Sequence, residues 1–76
     1  MMPLSMVSPG ETVKIATIRA GWGLQRRLAD MGLTPGVKVK VIQHHGRGHL
    51  VINFRDSKLA LGHGVSNKIM VTDGTG

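Results

Sequence analysis

The stretch Leu24-Gln25-Arg26-Arg27-Leu28-Ala29-Asp30-Met31-Gly32-Leu33-Thr34-Pro35-Gly36-Val37 sets a helix, its stop signal and a chain reversal in unbroken succession. Leu24, Leu28 and Met31 recur at i, i+4 and i+7, one apolar stripe of a short helix, and Gln25, Arg26, Arg27 and Asp30 fall off that stripe. Gly32 suits the left-handed C′ position. Leu33 then sits at C″ and folds back on Leu28, the apolar contact of a Schellman motif. In Thr34-Pro35-Gly36-Val37 the proline presets φ at the second position and the glycine supplies a positive φ at the third, which specifies a type II turn.

Working outward, Ser8-Pro9-Gly10-Glu11 reads as a turn before a β-favouring run from Val13 to Ile18. In that run Val13 and Ile15 lie on one face of a strand, and Ala16 and Ile18 on the other. Gly21-Trp22-Gly23 breaks it ahead of the helix. Beyond the reversal, Val37, Val39 and Val41 alternate with Lys38, Lys40 and Ile42, and Leu50, Ile52 and Phe54 with Val51, Asn53 and Arg55. Between these two strands lies the hairpin loop His44-His45-Gly46-Arg47-Gly48. Arg55 to Lys58 is a polar turn, Leu59 to Leu61 a short strand, and Gly62 to Asn67 a crossing segment compatible with one helical turn. Lys68 to Thr72 is the last strand and Asp73 to Gly76 a frayed tail. Five short strands, one short helix after the first and no repeat or linker suit an all-β fold: a small, strongly bent antiparallel barrel of SH3-like or OB type. The strands are short for an OB-fold.

With 76 residues the chain holds a single domain, residues 1–76. Ten Lys+Arg against 4 Asp+Glu give a net charge of +6, and 41% hydrophobic residues are too many for a disordered chain. With 0 Cys there is no disulfide framework, thiolate metal site or cysteine nucleophile. No apolar run approaches the roughly 20 residues of a membrane span, and the N-terminus does not read as a signal peptide, so the expected location is cytosolic.

Little in the chain carries covalent chemistry. No G-x-x-x-x-G-K-[ST] loop is present, and Gly62-His63-Gly64 has Asn67 where a dinucleotide fingerprint needs its third glycine. Glu11, Asp30, Asp56 and Asp73 are scattered, and no serine sits in G-x-S-x-G, so the chain reads as a non-enzyme. The sharpest chemical feature is histidine. His44, His45 and His49 flank one loop, with His63 apart, and imidazoles ligate transition metals such as Fe(II) or Zn(II). Adjacent His44 and His45 point to opposite faces of a strand, so only one can join His49. No nearby carboxylate completes a site, and exposed loop histidines are the plainer reading. No cofactor is required.

The basic residues occupy polar strand positions, as on a solvated exterior, and neither Trp22 nor Phe54 lies in a basic-aromatic run, so no nucleic-acid partner is expected. A basic face also suits an acidic protein or an anionic lipid surface. The candidate partner-binding residues are Trp22, Arg26 and Arg27. Trp22, flanked by glycines, is either a partner anchor or a cap on the core, and Arg26 and Arg27 project from the exposed side of the helix.

From Gln25 to Val37 the chain resembles the FeoA family of small cytosolic accessory proteins of bacterial ferrous iron uptake. The likeness continues through Val39-Lys40-Val41 and Leu59-Ala60-Leu61, and through Pro3-Leu4-Ser5-Met6 with Pro9-Gly10-Glu11. A similar domain ends some metal-dependent transcriptional repressors. The resemblance implies an SH3-like barrel, with Leu28, Met31, Gly32, Leu33, Pro35 and Gly36 as fold determinants and no catalytic residue. It also implies a non-enzymatic adaptor role beside FeoB, the membrane Fe(II) transporter with a cytosolic GTPase domain. The adaptor would be held at the inner membrane through that partner, contacting it through Trp22, Arg26, Arg27 and the 44–48 loop. The alternatives are a histidine-based transition-metal-binding module and a C-terminal-type SH3-like domain related to metal-dependent repressors.

Overall fold

β-favouring residues pair into strands wherever the chain can return antiparallel, and here that yields six strands among the described residues, which are 1–45 and 48–74 of the computed structural model. Gly46 and Arg47 of the expected hairpin loop, and Thr75 and Gly76 of the expected tail, lie outside the described residues. The strands are β1 (Met2–Pro3), β2 (Thr12–Ile18), β3 (Lys38–His44), β4 (Leu50–Phe54), β5 (Ser57–Leu61) and β6 (Ile69–Asp73). A 3-10 turn spans Leu4–Met6, and two helices follow, α1 (Trp22–Asp30) and α2 (His63–Ser66).

The strands form one antiparallel sheet in the order β1-β6-β2-β3-β4-β5. This corrects the expected five-stranded SH3-like barrel with one helix. The outermost strands, β1 and β5, do not pair, so the sheet is open, and it carries two helical elements. Closure requires a hydrogen-bonded ladder between the two edges. β1 is 2 residues long and ends in Pro3, which has no N–H to donate, so it cannot present such a ladder to β5. The same brevity hides β1 in the sequence, because two residues show no alternation. Asp73, expected in a frayed tail, belongs to β6 and stands in register with Val13.

Two irregularities bend the sheet. The β2–β6 register shifts between Ile15 and Thr17, and the β3–β4 register between Val41 and Gln43. The first explains a mismatch in the alternation. Strict period two would send Ile18 to the face opposite Val13 and Ile15, yet all three are buried in one core cluster. The extra residue at the bulge restores Ile18 to the inner side. That cluster also holds Leu4, Val39, Val41, Leu50, Ile52, Leu61, Ile69 and Val71, drawn from every strand but β1 and from the 3-10 turn.

Helix α1, 9 residues long, is too short to stand alone and is fixed by its C-terminal end. The Gly32 N–H donates to Ala29 O at 2.9 Å and the Leu33 N–H to Leu28 O at 2.8 Å, with Gly32 at φ +92. This is the expected Schellman geometry, and it leaves Leu28 and Leu33 1% and 0% exposed. Each such burial contributes about 1.5–3 kcal/mol. Met31, expected on the buried stripe, is 43% exposed instead. It is the helix C-cap and lines an open depression together with Leu24 and Leu28, so it stays on the stripe but at its solvent edge. The expected type II turn follows. The Val37 N–H donates to Thr34 O at 3.1 Å, and Gly36 takes φ +97.

Glycine therefore plays opposite parts at the two ends of α1. A Cβ on Gly32 would force a side chain into the left-handed region and meet Phe54 Cε2 at 3.4 Å, whereas Gly23 faces open space within the helix. Gly32→Ala is expected to cost about 1–2 kcal/mol, a fall in Tm of about 4–8 °C per kcal/mol in a domain of this size. Gly23→Ala should raise stability by up to about 1 kcal/mol. Thermal unfolding of the two variants followed by circular dichroism checks the opposite signs.

Candidate functional site

The helix stop and the type II turn also build a grooved surface. The Gly36 N–H donates to Ile15 O at 2.7 Å, and the Ile15 N–H donates to Val37 O at 2.9 Å, so the turn is fastened to β2 at its bulge. This sets Thr34 and Pro35 beside Thr17 and Ile18, with α1 alongside. Between them runs a groove of about 320 Å³, walled by Trp22, Arg26 and Ala29 from the helix and by Thr17, Thr34 and Pro35 from the strand and turn.

Trp22 is 76% exposed, which decides between the two expectations for it: the ring does not cap the core. It opens the first turn of α1, where Gly21 provides no side-chain cap. Gln25 braces that turn, its Nε2 donating to Ala20 O at 2.8 Å and its N–H to Gly21 O at 3.2 Å. Trp22, Arg26 and Ala29 stand at i, i+4 and i+7, a stripe distinct from the one that buries Leu28.

The structure separates the two arginines that the sequence sets side by side. Arg26 lines the Trp22 groove. Arg27 lines a second depression across the helix, between α1 and the edge strand β5, with Leu24, Met31, Leu59, Ala60 and Val65. Successive helical residues diverge by about 100°, so the two guanidinium groups serve different surfaces. Thr17, Ala29, Thr34 and Pro35 are the groove residues that sequence reasoning did not single out. None of the four carries a charge or an aromatic ring, and Pro35 registers only as a turn former. The sequence signal available for them was the i, i+7 spacing of Trp22 and Ala29.

The histidines divide as their strand positions require. His44 ends β3 in register with Leu50, away from His49. His45 and His49 face each other, with ring centroids 4.5 Å apart at 32°, and the His45 N–H donates to His49 O at 3.1 Å. His45 Nε2 also lies 3.1 Å from Gln43 Oε1. His63 begins α2 and is exposed, its carbonyl accepting from the Asn67 N–H at 3.0 Å and from Ser66 Oγ at 3.2 Å. Among the described residues no group of three or more His, Asp or Glu side chains is gathered to hold a metal ion, and structural zinc sites take four ligands. Of the 44–48 loop, Gly46 and Arg47 lie outside the described residues. No helix among the described residues is long and apolar enough to cross a membrane.

Comparison with known proteins bears on the whole chain. The family model described as FeoA domain matches residues 2–73. A proposed Fe(2+) transport protein A of Methanocaldococcus jannaschii is 41% identical over 73 residues, spanning 96% of this chain and 88% of that one. The crystal structure of an iron uptake regulatory protein, FeoA, superposes with a TM-score of 0.86 at 33% identity, over 92% of this chain and 93% of the other. A manganese-dependent transcriptional repressor in complex with manganese superposes with a TM-score of 0.87 at 19% identity. It matches 95% of this chain but 36% of the repressor, a likeness of fold alone.

An indole that is 76% exposed contributes little to the core. Trp22→Ala is therefore expected to change unfolding free energy by no more than about 0.5 kcal/mol. As the only tryptophan in a chain with 0 Tyr, Trp22 should also emit as a solvated indole that acrylamide quenches freely. Denaturant titration of the variant and quenching of the native chain check both expectations.

Proposed function

The chain belongs to the FeoA family of ferrous iron transport accessory proteins, whose members are non-catalytic, and on that premise we propose that it is a cytosolic adaptor for a FeoB-type transporter. It binds the transporter's cytosolic GTPase region and modulates its assembly or GTP hydrolysis. It reaches the inner membrane through that partner. The observation that carries this reading is Trp22, an aromatic anchor exposed beside a groove whose far wall is the fastened Thr34–Pro35 turn.

Tryptophan and arginine dominate interface hot spots because one residue brings a large apolar area or several donors at small entropic cost. Such anchors act best when already ordered, since binding then pays less to immobilise them. Here the helix end, the turn and β2 are joined by backbone hydrogen bonds, so the groove needs no rearrangement to receive a partner side chain. Arg26 supplies charge at the groove wall. Arg27, on the other flank of α1, extends the contact toward β5. The reading calls for no resident metal or cofactor, Fe(II) being the transporter's cargo.

Calorimetric titration of the chain into the purified cytosolic region of a FeoB-type transporter tests this. Trp22→Ala is expected to weaken the complex by about thirtyfold or more, the loss typical of a hot-spot residue, while Arg27→Ala has the smaller effect. No detectable heat at any nucleotide state, or equal affinity for Trp22→Ala and the native chain, would overturn the proposal.

A further inference from the structure

The outward face of the sheet carries a charge arrangement that the adaptor reading does not use. Register places Lys14 directly opposite Lys38, and Thr72 on the other side of Lys14. In the next outward row Lys58, Asn53, Lys40 and Thr12 lie opposite one another in turn across β5, β4, β3 and β2. The intervening residues Val13 and Val39 are buried, which fixes both rows on the solvent side. Lys38, Lys40 and Lys58 are exposed and Lys14 is half-buried.

None of these positions holds a carboxylate. Glu11 borders the second row, but its Oε2 accepts the Ser8 N–H at 3.2 Å. Asp73 stands opposite Val13, off both rows. Asp56 lies in the β4–β5 turn at φ 63. Like charges directly opposite each other destabilise a sheet, and Lys14 with Lys38 is such a pair. A neutral or acidic residue at either position would be better for the fold.

We propose that this lysine face docks directly on an anionic lipid surface. Lysine ammoniums are point charges suited to loosely ordered phosphate headgroups, and two parallel rows on a sheet present them in a plane. Threonine and asparagine between them offer further hydrogen bonds to phosphate oxygens. At the β1 end of the face Met1, which is 70% exposed, and Met2 line a depression with Thr12 and Thr72, and the carboxylates of Glu11 and Asp73 line that depression too, so the lysine rows alone carry the attraction to phosphate. Basic side chains flanked by exposed apolar ones are the pairing that interfacial binding uses. Nucleic acid fits less well, because Trp22 and Phe54 lie outside both rows and no aromatic platform is available for bases. The lysines of this face do not line the Trp22 groove, so lipid contact here would add to recruitment by the protein partner and leave the groove free for it.

Vesicle sedimentation of the full chain tests this. Binding is expected to phosphatidylcholine vesicles containing phosphatidylglycerol, not to phosphatidylcholine alone, and to vanish at high salt. Each lysine near an anionic surface contributes about fivefold, so Lys38→Gln with Lys40→Gln should cut partitioning by about thirtyfold. Arg26→Gln with Arg27→Gln should cut it much less. Lys38→Glu supplies a second readout. It should raise Tm by pairing with Lys14 while lowering vesicle binding, a split that unfolding cannot mimic. Equal binding to neutral vesicles, equal losses for the lysine and arginine variants, or displacement by duplex DNA at matched phosphate concentration would overturn the proposal.

Discussion

Ile15 commits both of its backbone groups to the turn at 34–37, and the rest of the molecule is arranged around that exchange. Its N–H and C=O bond Val37 O and the Gly36 N–H at 2.9 and 2.7 Å, at the point where β2 bulges. Its side chain, 1% exposed, sits in the core beside the residues that the bulge re-aims. The turn can reach Ile15 only because Gly36 takes φ +97. It starts from the right place only because Gly32 ends the helix at φ +92. Two glycines and one proline thus set the path between α1 and β3, and packing of Leu28 and Leu33 holds it.

The surface proposed to bind the partner inherits its shape from this clamp. A nine-residue helix with no side-chain cap at Gly21 would fray in isolation. Held at its C-terminal end, it offers Trp22, Arg26 and Ala29 in a defined row against Thr34 and Pro35. The membership of the chain in a transport accessory family, with no catalytic chemistry, fits a protein whose distinctive product is a rigid surface. The open sheet then presents a second surface. Its outward rows of lysine and hydroxyl side chains face away from the core, at some cost to β2–β3 pairing.

Local chemistry makes part of this legible in the sequence. The Schellman end and the type II turn depend on residues adjacent in the chain and on conformations that glycine alone takes readily, so Gly32, Leu33, Pro35 and Gly36 state them outright. The strands β3 and β4 show in alternation, and β2, β5 and β6 in short β-favouring apolar runs. What escaped depends on partners distant in sequence. β1 is a strand only because β6 passes beside Met2 and Pro3. Whether the sheet closes depends on its two edges, which no local pattern encodes, and the barrel expectation failed there. Met31 matched the helical stripe but is the C-cap, at the solvent edge of the stripe. The separation of Arg26 from Arg27 follows from helical geometry and could have been read. The exposure of Trp22 could not, since Gly-Trp-Gly serves a core cap or an anchor equally.

The central claim is that the clamped helix–turn unit is the protein-binding face. Its most direct test is an NMR titration of the isotope-labelled chain with the unlabelled cytosolic region of a FeoB-type transporter. Shift changes should gather at Trp22, Arg26, Ala29, Thr34 and Gly36 and leave Lys14, Lys38, Lys40 and Lys58 where they were. Changes confined to the lysine rows, or to the hairpin at His45 and His49, would contradict the account.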